Sequence, residues 1–134
     1  MTHPIVALQA ALVTALRADS ALSALVGAAI YDAPPKGATA PCLVVARHDV
    51  VPRDGDAAPG NDHRVILHAW HPDASRKAVL AIVDRVTVVA LAGLSPAELA
   101  VTNATHERTD TAIDLETGAA RAAVTLRFFT EPTT

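Results

Sequence analysis

The sequence is poor in the residues that would commit it to chemistry. Its 134 residues contain one cysteine, one tryptophan, one tyrosine and two phenylalanines. A lone Cys42 excludes any disulfide within the chain; set in a hydrophobic strand pattern, it reads as a buried thiol in a reducing compartment. Basic residues number 11 against 14 acidic ones, interspersed and without a lysine or arginine run, for a formal charge of -3. General nucleic-acid affinity therefore has no electrostatic footprint. Apolar stretches are broken by charge before the length of a membrane span, and the opening MTHPIVALQAAL has no basic region ahead of its apolar part. Neither a span nor a signal peptide is expected. Also missing are a phosphate-binding glycine fingerprint around Gly27, Gly37 or Gly93 and a serine in a sharp strand-to-helix elbow.

What is present is apolar bulk: 51% hydrophobic residues against 19% charged, the opposite of a disordered composition. A chain of this length buries roughly two thirds of its extended surface, enough for one core. Much of the apolar count is alanine, so leucine, valine and isoleucine must supply most of the burial energy. Two explanations of the thin aromatic content stay open: alanine-mediated helix packing, or apolar surface completed by partners.

Pro4 suits a first helical turn with Thr2 or His3 at the cap, and Ile5, Leu8, Leu12, Ala15 and Leu16 recur at helical spacing to about residue 18. Asp19 or Ser20 caps a shorter helix that Gly27 ends. Ile30 and Tyr31 are extended, and Pro34 and Pro35 forbid helix. A strand is expected over Cys42–Val50, with Cys42, Val44, Ala46 and His48 on one face. A second spans His63–His71, partly covered on both faces and so near the sheet interior. Asp73 is the expected cap of a helix to about Ala90 that packs by Val79, Ile82, Val83 and Val86. Two more strands follow, Leu99–His106 and Arg121–Phe129, joined by an arm that Gly118 turns. The predicted fold is one α+β domain over residues 1–134, ordered α-α-β-β-α-β-β. It has an antiparallel sheet of about four strands, helices on one face, and flexible loops near residues 51–62 and 109–120. The expected core comprises Leu12, Leu16, Val44, Leu67, Trp70, Ile82, Val86, Val101, Leu126 and Phe128, with Trp70 between sheet and helix.

Six histidines raise the question of a metal. His68 points away from His63 and His71, which themselves lie about 26 Å apart on an ideal strand, so the three cannot share one zinc. His48 across from His68 makes at most a two-ligand cluster. Asp54, Asp56 and Asp62 lack the terminal bidentate glutamate of a calcium loop. A nucleophilic Cys42 would need exposure and a base, and His106 with Asp110 lacks a nucleophile. No catalytic residue, metal or cofactor is expected.

In order along the chain stand LQAALVTAL, ALSALVG, IYDAPP at Ile30–Pro35, PCLVVA at Pro41–Ala46, HRVILHAWH at His63–His71, and RFF at Arg127–Phe129. Together they resemble the tail-completion, or tail terminator, proteins of long non-contractile phage tails and gene transfer agents, over nearly the whole chain. The resemblance implies a structural protein that assembles as a homohexameric ring. That ring caps the finished stack of major tail tube protein and receives the head-tail connector or adaptor, while DNA passes through the lumen without sequence reading. It implies assembly in the cytoplasm, residence at the head-tail junction of the particle, and no membrane. A lumen without dense lysine and arginine suits passage over capture. Arg53, Asp54, Asp56, Asn61, Asp110, Glu116 and Arg121, in or beside the two loops, are the candidate inter-subunit or tail contacts. Two other readings compete: a different head-tail joining or connector protein, distinguished by ring order and partner, and a small hydrolase, distinguished by a deep pocket joining Cys42 or His106 to another polar group.

Overall fold

The computed structural model describes residues 2–53 and 59–133. Helix α1 (Pro4–Ala18) starts on His3, whose Nδ1 accepts from the Ile5 N–H at 3.1 Å, and buries Ala7, Leu8, Leu12 and Leu16 along one stripe. Asp19 breaks the helix with an extended backbone and caps α2 (Ser20–Val26), accepting from the Leu22 N–H at 2.9 Å. The same carboxylate takes both forks of the Arg85 guanidinium, at 2.8 and 2.7 Å, and this pairing holds the Asp19 pKa down to about 2. Gly27, at φ 61, ends α2 in a backbone conformation that costs glycine nothing.

Five strands follow: β1 (Ile30–Tyr31), β2 (Cys42–Pro52), β3 (Asn61–His71), β4 (Leu99–Ile113) and β5 (Ala120–Pro132). They form one sheet in the order β1-β2-β3-β5-β4. The sheet is therefore mixed: β1, absent from the expected four strands, pairs parallel with β2 through Ile30↔Leu43 and Tyr31↔Val44, and the other pairs are antiparallel. Strand β3 is central, which is why both its faces carry apolar residues.

Helix α3 (Arg76–Leu91) packs on the same side as α1 and α2. Its cap is Ser75, not the expected Asp73; Ser75 Oγ accepts from the Ala78 N–H at 3.1 Å. Asp73 belongs to the preceding turn, its N–H donating to His71 Nδ1 at 3.1 Å and its carbonyl accepting from Ser75 at 2.8 Å.

Strand pairing runs on into both expected loops. Val51↔Asp62 and Pro52↔Asn61 extend the first hairpin, which the Arg53 N–H closes onto the Gly60 carbonyl at 2.7 Å. In the second, Thr109↔Val124 through Ile113↔Ala120 are paired, leaving a short turn over residues 114–119. Polar and charged side chains in these stretches read as loop, yet a long hairpin tolerates them where its faces are solvated.

Leu12, Leu16, Leu67, Ile82, Val86, Leu126 and Phe128 all join the buried cluster between sheet and helices, and Val101 packs against it partly buried. Val44 and Trp70 do not. The helices cover one face of the sheet; Trp70 is registered with Cys42 and Arg121 on the face they leave open, and Val44 shares that face. Trp70 is partly exposed there, in a groove with Pro34, Ala38, Cys42, Val44 and Asp114, so its expected place between sheet and helix is corrected.

Candidate functional site

A bulge sets the geometry of the interior. Ala46 has no partner between Val45↔Leu67 and Arg47↔Ile66, so the alternation of β2 slips by one residue. His48 consequently leaves the face of Cys42 and Val44 and turns inward. It meets His63, not the expected His68, which lies opposite Val44.

The result is a polar thread through the core. Asp32 can only accept, so Gln9 Nε2 donates to it and Gln9 Oε1 accepts from His48 Nδ1 at 3.2 Å. His48 Nε2 then accepts from His63 Nδ1 at 2.9 Å, and His63 Nε2 accepts from the Thr130 hydroxyl at 2.9 Å. With both imidazoles neutral, each carries its proton on Nδ1 and every donor points the same way. Burial, above all, lowers both histidines to a pKa of about 4. The thread ties α1, β2, β3 and β5 together and leaves no buried side-chain polar atom unsatisfied among the described residues. Its one hydroxyl, that of Thr130, is paired with a histidine but is only 1% exposed and so is closed to a substrate, and no three ligand-type side chains gather for a metal among the described residues.

The open face of the sheet carries the ionic features. Arg127 grips Asp62 at 3.0 and 2.6 Å, Arg64 grips Glu107 at 3.1 and 3.0 Å, and Arg127 comes within 3.7 Å of Glu107. Arg53 and Arg127 stack on the Phe129 ring at 4.1 and 4.8 Å. This lattice spans β3, β5 and β4 and ends near the first hairpin. Of the expected contact residues, Arg53 belongs to this lattice and Asn61 adjoins it on β3; the signal in the sequence for the rest is the i, i+2 spacing of Arg127 and Phe129 on one strand face.

The candidate contacts fall into two groups roughly 30 Å apart along the strands. Arg53 and Asn61 sit at the first hairpin, Asn61 within β3 opposite Pro52 and Thr130. Asp110 on β4 and Arg121 on β5 approach to 3.5 Å, and Glu116 stands in the second hairpin's turn. Asp54 and Asp56 lie outside the described residues.

The hydrolase alternative finds little support here. Burial raises the Cys42 thiol pKa, and the groove it lines contains no histidine. His106 hydrogen-bonds Thr109 at 2.6 Å on the exposed surface, while Asp110 turns to Arg121 and Arg108.

A family described as "Tail completion protein gp17" matches residues 10–131. The chain belongs to this tail-completion family. Among solved structures it is similar to a chain of the "Virion of native gene transfer agent (GTA) particle", with 26% identity and a TM-score of 0.85 over 97% of this chain and 99% of that one. No curated protein matches it significantly. The family match covers α2, α3, β1 to β4, β5 up to Glu131 and most of α1, so the open face, both hairpins and the polar thread from His48 to Thr130 lie within the tail-completion unit, with Gln9 one residue before it.

Proposed function

We propose that this tail-completion protein is a tail terminator. Six copies close a ring on the last layer of the tail tube, the opposite surface receives the head connector, and DNA passes through the lumen without being read. The subunit assembles in the cytoplasm, remains at the head-tail junction of a phage or gene transfer agent particle, and works through surfaces, without catalysis or a cofactor. Residues 1–134 act as one tail-terminator domain.

The observation that carries this reading is a family match over residues 10–131 coinciding with a near full-length likeness to a chain of an assembled particle. The fold is suited to it. Both sheet edges are open among the described residues: β4 is outermost on one side, and on the other β1 covers only Leu43 and Val44, leaving the outer edge of β2 from Val45 to Pro52 without a strand partner. Open edges left unprotected invite endless pairing, and a closed ring uses them without open growth.

The test is native mass spectrometry and particle imaging of the purified protein, alone and with tail tubes. Six-subunit rings at one tube end are expected. Folded monomers that never bind tube ends would overturn the assignment.

A further inference from the structure

The turn of the β4–β5 hairpin holds a leucine out into water. Leu115 is 95% exposed, although the turn around it is firmly tied. Asp114 Oδ1 accepts from the Glu116 and Thr117 N–H groups at 2.9 and 3.3 Å, the Asp114 carbonyl accepts from Gly118 at 2.7 Å, and the Asp114 N–H donates to Ala119 at 2.9 Å. Gly118, at φ 75, supplies the left-handed residue that closes it. Leu115 is thus a preorganised apolar knob, flanked by the carboxylates of Asp114 and Glu116, and binding by it needs little ordering of the backbone.

At the β2 edge of the sheet, α1 and the outer stretch of β2 that β1 does not cover enclose an open groove of about 580 Å³. Its apolar lining includes Ile5, Val6, Val13 and Val45, with Val6 59% exposed, and its flanks carry Arg17 and Arg47. Asp32 is the one carboxylate in the lining among the described residues and is engaged by Gln9; Arg17 bonds the Ile30 carbonyl at 2.7 Å, and Arg47 pairs with Asp49 at 2.7 Å on an exposed surface. An exposed ion pair of this kind exchanges partners at small cost.

We infer that the Leu115 turn of one subunit seats in the α1–β2 groove of a second copy of this chain, with Glu116 facing Arg47. The inference rests on the ring reading. Two different patches of one subunit make a heterologous contact, and repetition of such a contact generates a ring when the rotation closes. The charges are complementary: acid beside the knob, arginine beside the groove.

The test uses the full chain with tail tubes, in a Cys42→Ala background. Leu115→Cys with Ala10→Cys, on the groove's α1 wall, should give a disulfide ladder up to the hexamer, and either cysteine alone should give none. Leu115→Asp should keep the wild-type circular dichroism and unfolding midpoint, because the side chain is already in water, yet reduce ring formation at least tenfold. Glu116→Arg should weaken rings and Arg47→Glu should restore them in the double variant. Rings that persist in Leu115→Asp, with no ladder, would overturn this contact and leave the ring reading standing. Wild-type protein that never forms rings would overturn both.

Discussion

His48 Nε2 and His63 Nδ1 face each other at 2.9 Å inside the sheet, between a glutamine on one side and a threonine hydroxyl on the other. One extra proton can be absorbed by reversing the tautomer of His63. A second would set N–H against N–H, and burial already disfavours the first.

Stability should therefore fall as the solution is acidified through the histidine range. Both folded pKa values lie at about 4, below the ordinary 6.5. Between these values the unfolded chain binds more protons than the folded one, so the contribution is complete above about pH 6.5 and is lost on descending towards pH 4. Desolvation dominates both shifts; Asp49 and Asp32 oppose the lowering at His48, Asp62 opposes it at His63, and His3 adds to it at both. A loss on the order of a few kcal/mol is expected across this window. Urea unfolding at pH 7, 5.5 and 4 measures it. The variant carrying His48→Gln and His63→Gln should begin less stable but show a flatter dependence; an equal slope would assign the acid sensitivity elsewhere.

The histidine pair also marks the limit of what the sequence made legible. Helices α1 and α2 were readable because apolar spacing and the stops at Asp19 and Gly27 agree, and β5 because Ala122, Val124, Leu126 and Phe128 alternate without interruption. A bulge leaves no such mark. The extra residue at Ala46 moved His48 to the opposite face, and the irregularity between Val101 and Asn103 put Val101 and Ala104 on the same partly buried side. Strand β1 was illegible as a strand because two residues have no period. The exposure of Leu115 depends on how a turn is aimed, which neighbouring residues do not encode. Trp70 was misplaced for another reason: alternation separates the faces of a strand but does not say which face the helices cover.

That correction changes the expected cost of losing the indole. Phe128 is fully buried in the core, and Phe128→Ala should destabilise by about 3 to 5 kcal/mol. Trp70 stands partly in water on the open face, so Trp70→Ala should cost only about 1 to 2 kcal/mol. Chemical denaturation of both variants gives the comparison, and acrylamide should quench Trp70 fluorescence in the native state. A shielded indole, or a Trp70→Ala loss equal to that of Phe128→Ala, would return Trp70 to the core.

Gly60 should resist substitution for lack of room, and this can be separated from an effect of backbone conformation. A Cβ there would lie 3.0 Å from the Arg53 carbonyl oxygen and 3.3 Å from that of Thr130. Both obstacles are backbone atoms: Arg53 is held by its N–H bond to Gly60, and Thr130 by its place in β5 and its bond to His63. Neither can swing away as a side chain would, so Gly60→Ala must displace strand ends and should cost about 1 to 3 kcal/mol. Gly118 offers the contrast. Nothing lies within 4 Å of its Cβ position, but its φ of 75 is left-handed, so alanine is strained there while asparagine is better tolerated. Unfolding midpoints of the four variants should show asparagine recovering most of the alanine loss at Gly118 and none of it at Gly60, where a larger side chain meets the same carbonyls. Recovery at Gly60 would show that crowding by Arg53 and Thr130 is not what reserves this position for glycine.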